Sequence, residues 1–300
     1  MKKILYILLL FIFTNVIAQQ QPQYSQYMYN MNVVNPAYVI NEPGIIYVGA
    51  LYRQQWNGIE GGPKTANLFA NIPTNDHIEF SFNYINDQIG EVQNENIFNV
   101  DFAYILPIAR RTKMAFGVKA GISNLALDFS QSNVSSDPSF QNQNSTFFNA
   151  GAGLFVFNEK FYVGFSAPNL FPADLNEDNQ NVYEQKTHFY GMAGYVFDVN
   201  PNLKLKPSTM IKQSIGAPLT FDASLNARFS DKFEIGTSYR FQENMAFMAA
   251  VNVSYNFRIG YAYDYNASKL RDFDNGSHEI ILLYNFGLIK SKKYISPRFY

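Results

Sequence analysis

After Gly44 the apolar and polar side chains alternate with a period of two. In "HIEFSFNYIN", Ile78, Phe80, Phe82 and Tyr84 fall on one face, and His77, Glu79, Ser81 and Asn83 on the other. "FNVDFAYIL" (98–106), "LTFDASLNARF" (219–229) and "FRIGYAYDY" (257–265) repeat the pattern. Strict alternation over such lengths predicts β-strands and argues against helices. Fourteen segments carry it, near 44–55, 64–72, 77–86, 96–106, 112–125, 145–157, 160–167, 187–199, 203–213, 218–229, 233–241, 245–255, 257–265 and 277–287. Most are close to the ~9–11 residues that a tilted strand needs to cross a bilayer.

The gaps between segments sort by parity. Every second one is short: "PTND", "PIARR", "NE", "NPN", "SDK" and Asn256. The intervening ones are mostly longer, with exceptions near Gly216 and near Gln242–Asn244. Short turns on one side and long loops on the other, with an even strand count, is the outer-membrane pattern. A soluble sandwich or barrel also has short alternating strands. It has no reason to sort its loops, and its core face would carry more Val, Ile and Leu than Tyr. The expected fold is therefore all-β, a transmembrane antiparallel β-barrel of about 14 strands, over 44–287.

Composition agrees. The chain has 28 Phe and 21 Tyr against one Trp, and charged residues make up only 16% of it. That balance suits a surface whose rings face something other than water. Near-equal charges, 23 basic and 24 acidic, give no electrostatic case for nucleic acid. The lack of cysteine excludes disulfides, thiolate metal sites and lipidation behind the N-terminal apolar run. That run, "ILYILLLFIF" behind "MKK", is followed by small or β-branched residues at the −3 and −1 positions, Val16 and Ala18. Residues 1–18 read as a secretory signal peptide cut between Ala18 and Gln19.

A cylinder of fourteen strands is too wide for wall side chains alone to fill. The polar face supplies Asp101, Asp222, Arg228, Arg258, Asp264 and Glu279, which are mixed in sign, so the interior reads as salt-bridged rather than charge-selective. Residues 19–43 contain "YSQYMYNMNVVNPAY", with four Tyr and three Asn in fifteen residues. Tyr24, Tyr27, Met28, Met31 and Val34 recur at three-to-four spacing, which allows one short amphipathic helix before Asn35-Pro36 turns the chain. A plug inside the barrel, a periplasmic cap and an ordered leader all fit this segment.

Signals for chemistry are weak. His77, His188 and His278 are far apart in sequence. Ser277 adjoins His278, but neighbouring strand residues point to opposite faces and cannot pair directly. In 174–181, Asp174, Asn176 and Asp178 have the spacing of calcium ligands. Asn179 and Gln185 stand where a hand-type loop needs Gly and Glu, so a solvated turn fits better. No enzymatic activity, cofactor or metal is expected. The polar loops 126–144 and 168–186 suit either plain surface or a partner site. The tail 288–300, with four basic residues in its last eleven, is placed in the periplasm.

Several motifs together resemble the PorP/SprF outer-membrane proteins of the type IX secretion and gliding system. They are "SQYMYNMNVVNPAY", "RQQWNGIEGGPKT" (53–65), "NDQIG" (86–90), "YVGFSAPNL" (162–170), "LKPSTMIK" (205–212), "SYRF" (238–241), "GYAYDYNASKL" (260–270) and "GSHEIILLY" (276–284), in family order. The resemblance implies a non-enzymatic outer-membrane component that binds, helps export or anchors a secreted adhesin or other cargo. Its further partners would be periplasmic ring or peptidoglycan-associated components and outer-membrane lipid. The residues singled out are Tyr27, Asn30, Asn35, Pro36 and Tyr38 in the N-terminal segment, and Arg53, Trp56 and Gly58 in the first hairpin. Arg240, Asp264, His278 and Glu279 join them from the late strands, Arg240, Asp264 and Glu279 either as a charge network on a plug or as separate wall pairs. Trp56 fits an interfacial anchor or a partner contact. The alternative function is a pore for small solutes; a lipid-modifying enzyme using His278 or His188 is a third and weaker reading.

Overall fold

The computed structural model describes residues 22–130, 141–171, 173–177, 180–267 and 274–287. The signal peptide, the Ala18/Gln19 cut, Asp178 of the calcium-like loop and the basic tail lie outside them.

Seventeen strands form in chain order: β1 (Ile45–Gln54), β2 (Lys64–Pro73), β3 (Ile78–Ile89), β4 (Gln93–Ala109), β5 (Thr112–Leu127), β6 (Gln143–Phe157), β7 (Phe161–Asn169), β8 (Ala173–Glu177), β9 (Gln180–Gln185), β10 (His188–Tyr195), β11 (Phe197–Asn200), β12 (Leu203–Ser214), β13 (Thr220–Phe229), β14 (Phe233–Arg240), β15 (Asn244–Asn252), β16 (Phe257–Asn266) and β17 (Ser277–Gly287). Neighbours in sequence pair antiparallel, β1 pairs with β17, and β10 bridges from β7 to β12. With β10 and β11 as two halves of one interrupted stave, the wall is a closed barrel of fourteen strands. β8 and β9 form a separate hairpin.

The period-two pattern decides which way each side chain points. Leu68, Phe80, Tyr84, Phe98, Phe102, Tyr104, Phe116, Leu225 and Leu282 are exposed on the outside. Their strand neighbours Asn67, Glu79, Ser81, Asn83, Asn99, Asp101, Asp222 and Asn226 are buried on the inside. Apolar groups outside and polar groups inside invert the soluble arrangement, as lipid around a barrel requires.

Three expected boundaries move. β3 and β4 continue past the end of apolar alternation and leave only Gly90–Val92 as their loop, so a third outer loop is short. Outward Asn side chains sustain that extension: Asn86 donates to Asn94 at 2.8 Å and to Asn96 at 3.0 Å. β15 ends at Asn252, and the turn to β16 is four residues, Val253–Asn256, rather than one. The six turns at one rim remain short, and the longer connections from β1 to β2, β5 to β6, β7 to β10 and β16 to β17 leave from the other.

Candidate functional site: a plugged lumen beneath a raised outer rim

Residues 22–41 run through the barrel. They start beside the outer ends of β14, β16 and β17 and descend to the short-turn rim, where the chain enters β1. Two consecutive single turns of 3-10 helix, Tyr27–Tyr29 and Met31–Val33, replace the expected amphipathic helix. Asn30 separates them at φ −139°, ψ 67°, outside helical geometry, because its side chain is drawn to the wall. From Tyr24 to Asn41 nearly every residue is buried. A helix with one apolar face suits a two-sided environment; this segment is surrounded by wall.

Two glutamates from opposite rims grip the segment by its backbone. At the outer end Glu279 accepts the N–H groups of Ser25 and Gln26 at 2.9 and 2.8 Å. At the short-turn end Glu79 accepts those of Ile40 and Asn41 at 2.8 and 2.9 Å. Between the clamps the wall reaches the segment repeatedly. Asn30 donates to Asn83 and Asn67 at 2.8 and 3.1 Å, and Asn71 donates to Asn32 at 2.6 Å. Lys119 donates to the Asn32 carbonyl at 2.8 Å and Ser166 to that of Val34 at 2.6 Å. Asn35 folds its side chain onto the Ala37 N–H at 2.9 Å and donates to the Leu154 carbonyl at 3.2 Å, which shapes the turn at Pro36. Gly117 lies directly under that turn: a Cβ there would sit 2.3 Å from the Pro36–Ala37 backbone.

The outer clamp belongs to an ionic cluster. Arg53 pairs with Asp264 at 2.6 Å and Glu279 at 3.2 Å, and donates to Ser25 Oγ at 2.9 Å. Ser25 Oγ in turn donates to Asp264 at 2.6 Å. Arg240 pairs with Asp222 at 2.9 Å and also donates to the Gln23 side chain. Thus Asp264 and Glu279 share one network around Arg53, while Arg240 forms a neighbouring one with Asp222, and both hold the plug. Lower down, Arg258 pairs with Glu234 and covers the Tyr29 ring, 5.2 Å from its centroid, while Lys119 faces Asp101 at 3.6 Å. Buried cations therefore face carboxylates, which is what a low-dielectric interior demands.

The lumen is not polar throughout. Tyr47, Leu51, Phe69, Ile105, Phe155, Tyr162 and Met210 point inward and form one core with Met28, Met31, Tyr38 and Ile40. Tyr38 meets Phe155 edge-on at 5.5 Å. Tyr27 packs in this core beside Ser208 and Ser224. A cavity of 30 Å³ remains beside Tyr24 and Tyr27, and a larger one of 600 Å³ opens at the short-turn rim among Glu42, Arg228, Asp231 and Asn252.

At the outer rim three sequence motifs meet. Asn57 N–H donates to the Gly276 carbonyl at 2.8 Å, Asn275 N–H to that of Asn57 at 2.7 Å, and Gly90 N–H to that of Gly61 at 3.0 Å. Trp56, at φ 50°, is half-buried and donates its N–H to Ser277 Oγ at 3.2 Å. Gly58, at φ +96°, takes a conformation that favours glycine and packs against Asn275. His278 faces outward and bonds Tyr261 at 2.7 Å, while Ser277 is buried on the inner side, so the two are split between faces. His77 sits at the short-turn rim, its Nδ1 3.0 Å from the Ile105 carbonyl, and His188 lies on the inner face at the outer end of β10.

The first-hairpin arginine is thus the hub of the outer cluster, which sequence reasoning had carried only as a family motif. Glu79, Lys119, Asn71 and Ser166 were missed; their inward position was legible from alternation, their plug partners 38 to 132 residues away were not.

A closed, outward-apolar barrel with a locked internal segment defines an outer-membrane β-barrel protein. Its solved structural likenesses are of that class. The toluene transporter TbuX of Ralstonia pickettii superposes with a TM-score of 0.53 at 11% identity, covering 87% of this chain and 93% of that one. A FadL homologue of Pseudomonas aeruginosa gives 0.52 at 10% identity, covering 91% and 96%. At such identities the likeness extends to the fold alone. No curated protein matches the chain. The model of the type IX secretion system membrane proteins PorP/SprF matches residues 16–284, and the chain belongs to that family.

Proposed function

We propose that this protein is a non-enzymatic binding and anchoring component of the type IX secretion and gliding machinery. It reaches the outer membrane behind a signal peptide cut at Ala18/Gln19. Its outer side takes a secreted adhesin or other exported cargo, and its short-turn rim faces the periplasmic ring or peptidoglycan-associated components. The observation that carries this reading is the lumen: residues 22–41 occupy it and are tied to the wall from rim to rim, which suits a platform better than a conduit. The zipped outer loops offer a rigid surface for a large partner. Affinity purification of the tagged protein from gently solubilised outer membranes, with mass spectrometry, tests it. A large exported protein should co-elute; recovery of barrel and lipid alone, at low salt, overturns the reading.

One observation favours a second reading, a channel for small apolar solutes: the fold is shared with proteins described as a toluene transporter and a monoaromatic hydrocarbon channel. Solute uptake by the intact barrel, without removal of the plug, would select it.

A further inference from the structure

The wall is not equally high all round. β4, β5 and β6 are 17, 16 and 15 residues long, whereas β7 has nine and β10 eight. Register shows where the membrane stops. Tyr84, Phe98, Ile122 and Phe148 form one outward row across β3 to β6. The next outward row is Asn86, Asn96, Asn124 and Thr146. It is tied by side-chain hydrogen bonds, Asn124 donating to Thr146 at 3.1 Å and to Asn144 at 2.7 Å. An apolar row followed by an amide row marks the passage from lipid to water. The ends of β3 to β6 therefore project above the membrane.

The last strand of this projection has a bare side. β6 pairs with β5 along its whole length, from Gln143↔Leu127 to Phe157↔Lys113. It pairs with β7 only from Ala152 to Phe157. β7 leaves the ladder at Pro168; the Leu170 N–H bonds the Ala150 carbonyl at 2.8 Å, and the Asn149 side chain donates to the Pro168 carbonyl at 3.0 Å. Among the described residues, Asn144–Phe148 have no strand paired on that side. Strand geometry fixes which groups are bare. Because Ala150 turns its carbonyl to this edge, Phe148, Thr146 and Asn144 turn their N–H and C=O groups the same way. The inner face of the strand is covered: Phe147 stacks on Tyr183 of the β8–β9 hairpin at 6.0 Å. Edges of this kind are usually blunted by Lys, Pro or an inward charge. "NSTFFN" (144–149) contains none of these.

We propose that the raised edge of β6 is a strand-addition site that takes an uncharged, extended segment of an exported protein. An edge of bare backbone groups is satisfied by another backbone in extended form. No charge lies in 143–150 to recruit or orient a charged segment. Cross-strand neighbours at Thr146 and Phe148 favour β-branched or aromatic residues. The edge stands on the side where exported proteins emerge, and β17 ends at the opposite rim. This inference rests on the cargo-binding reading above and names its site.

Thr146→Pro removes one edge N–H and points a ring at the incoming strand, without touching a bond to β5. Thr146→Ala keeps the edge N–H while losing the same contact with Asn124. A photo-crosslinking amino acid in place of Phe148, in living cells, with the linked peptide identified by mass spectrometry, reads the occupant directly. The expected link is to an uncharged alternating stretch of an exported protein. Its yield should fall about tenfold in the Thr146→Pro background and stay near the parent level with Thr146→Ala. A link to a second copy of this chain, or to lipid alone, overturns the proposal, as does equal yield in the two backgrounds. If purification recovers an exported protein whose links map elsewhere, the site is wrong and the anchoring reading stands. If no exported protein is recovered, both fall.

Discussion

Arg53 shows how much one side chain can hold in a plugged barrel. It is 2% exposed, spans Asp264 and Glu279, and completes the position of Ser25. Replacing it with Ala leaves two carboxylates buried without their cation, a change that costs ~3–5 kcal/mol in comparable settings. We expect Arg53→Ala to lower the temperature at which the barrel loses its heat-modifiable mobility on gels. We also expect it to expose the Pro22–Gln26 stretch to protease added from outside; unchanged mobility and protection would show that the cluster contributes little. Tyr183 makes a separate, pH-dependent claim. Burial, and next the Glu95 carboxylate beside it, push its phenol above the ordinary tyrosine range. A phenol raised in the folded state contributes stability below its unfolded value near 10, and that contribution is lost as pH rises through the folded value. Proteolytic nicking of the β8–β9 hairpin should therefore accelerate on strong alkalisation in the parent and much less in Tyr183→Phe. Most of these partnerships lay beyond the sequence. Alternation assigned Asp264 and Glu279 to the lumen, but nothing local to Arg53 in "IIYVGALYRQ" marks it as their partner, since Tyr47, Gly49 and Leu51 on the same face are not charged.

At the scale of elements, the strands were legible wherever a lipid-facing apolar row enforced alternation. They became illegible where that row stopped. β3, β4 and β6 continue upward on Asn and Thr, and a run such as Gln93, Asn94 and Glu95 reads as loop although its ladder is intact. The plug was half legible: its aromatic and amide content marked it as unlike a strand, yet three-to-four spacing overstated its helicity. Tertiary hydrogen bonds to Asn30 and Asn35 override the local period. The tight fit between wall and plug gives an element-level test. Gly117→Val places a side chain into the Pro36–Ala37 backbone, which cannot move aside while Glu79 holds Ile40 and Asn41. The barrel should assemble with its plug displaced, read as new protease cleavage within 22–41. Gly191→Ala, whose Cβ would meet the Phe165 ring at an ordinary 3.5 Å, should leave the plug protected. Equal protection in both would mean that the lumen yields more readily than its packing implies.

On the scale of the whole molecule, a wide cylinder of fourteen strands is kept shut by a single segment, residues 22–41. Fourteen staves enclose more space than inward side chains fill, and the plug turns that space into a core of Tyr, Met, Phe and Ile ringed by ion pairs. Stability and closure are therefore one property of the molecule. Removing 19–41 behind an intact signal peptide deletes the acceptors and donors that satisfy Glu79, Glu279 and Lys119, and leaves a water-filled tube lined by charges of both signs. In planar bilayers the intact protein should stay silent and the deleted form should conduct, with weak preference between cations and anions because the lumenal charges are balanced in pairs. The deleted form should also denature at lower temperature, since its inner core has lost its centre. Conductance by the intact protein equal to that of the deletion would place the open path outside the plug and give the solute-channel reading its direct support. A silent deletion would mean that the wall collapses inward or that the outer loops alone seal the mouth, and the plug would then be a structural core without a gating role.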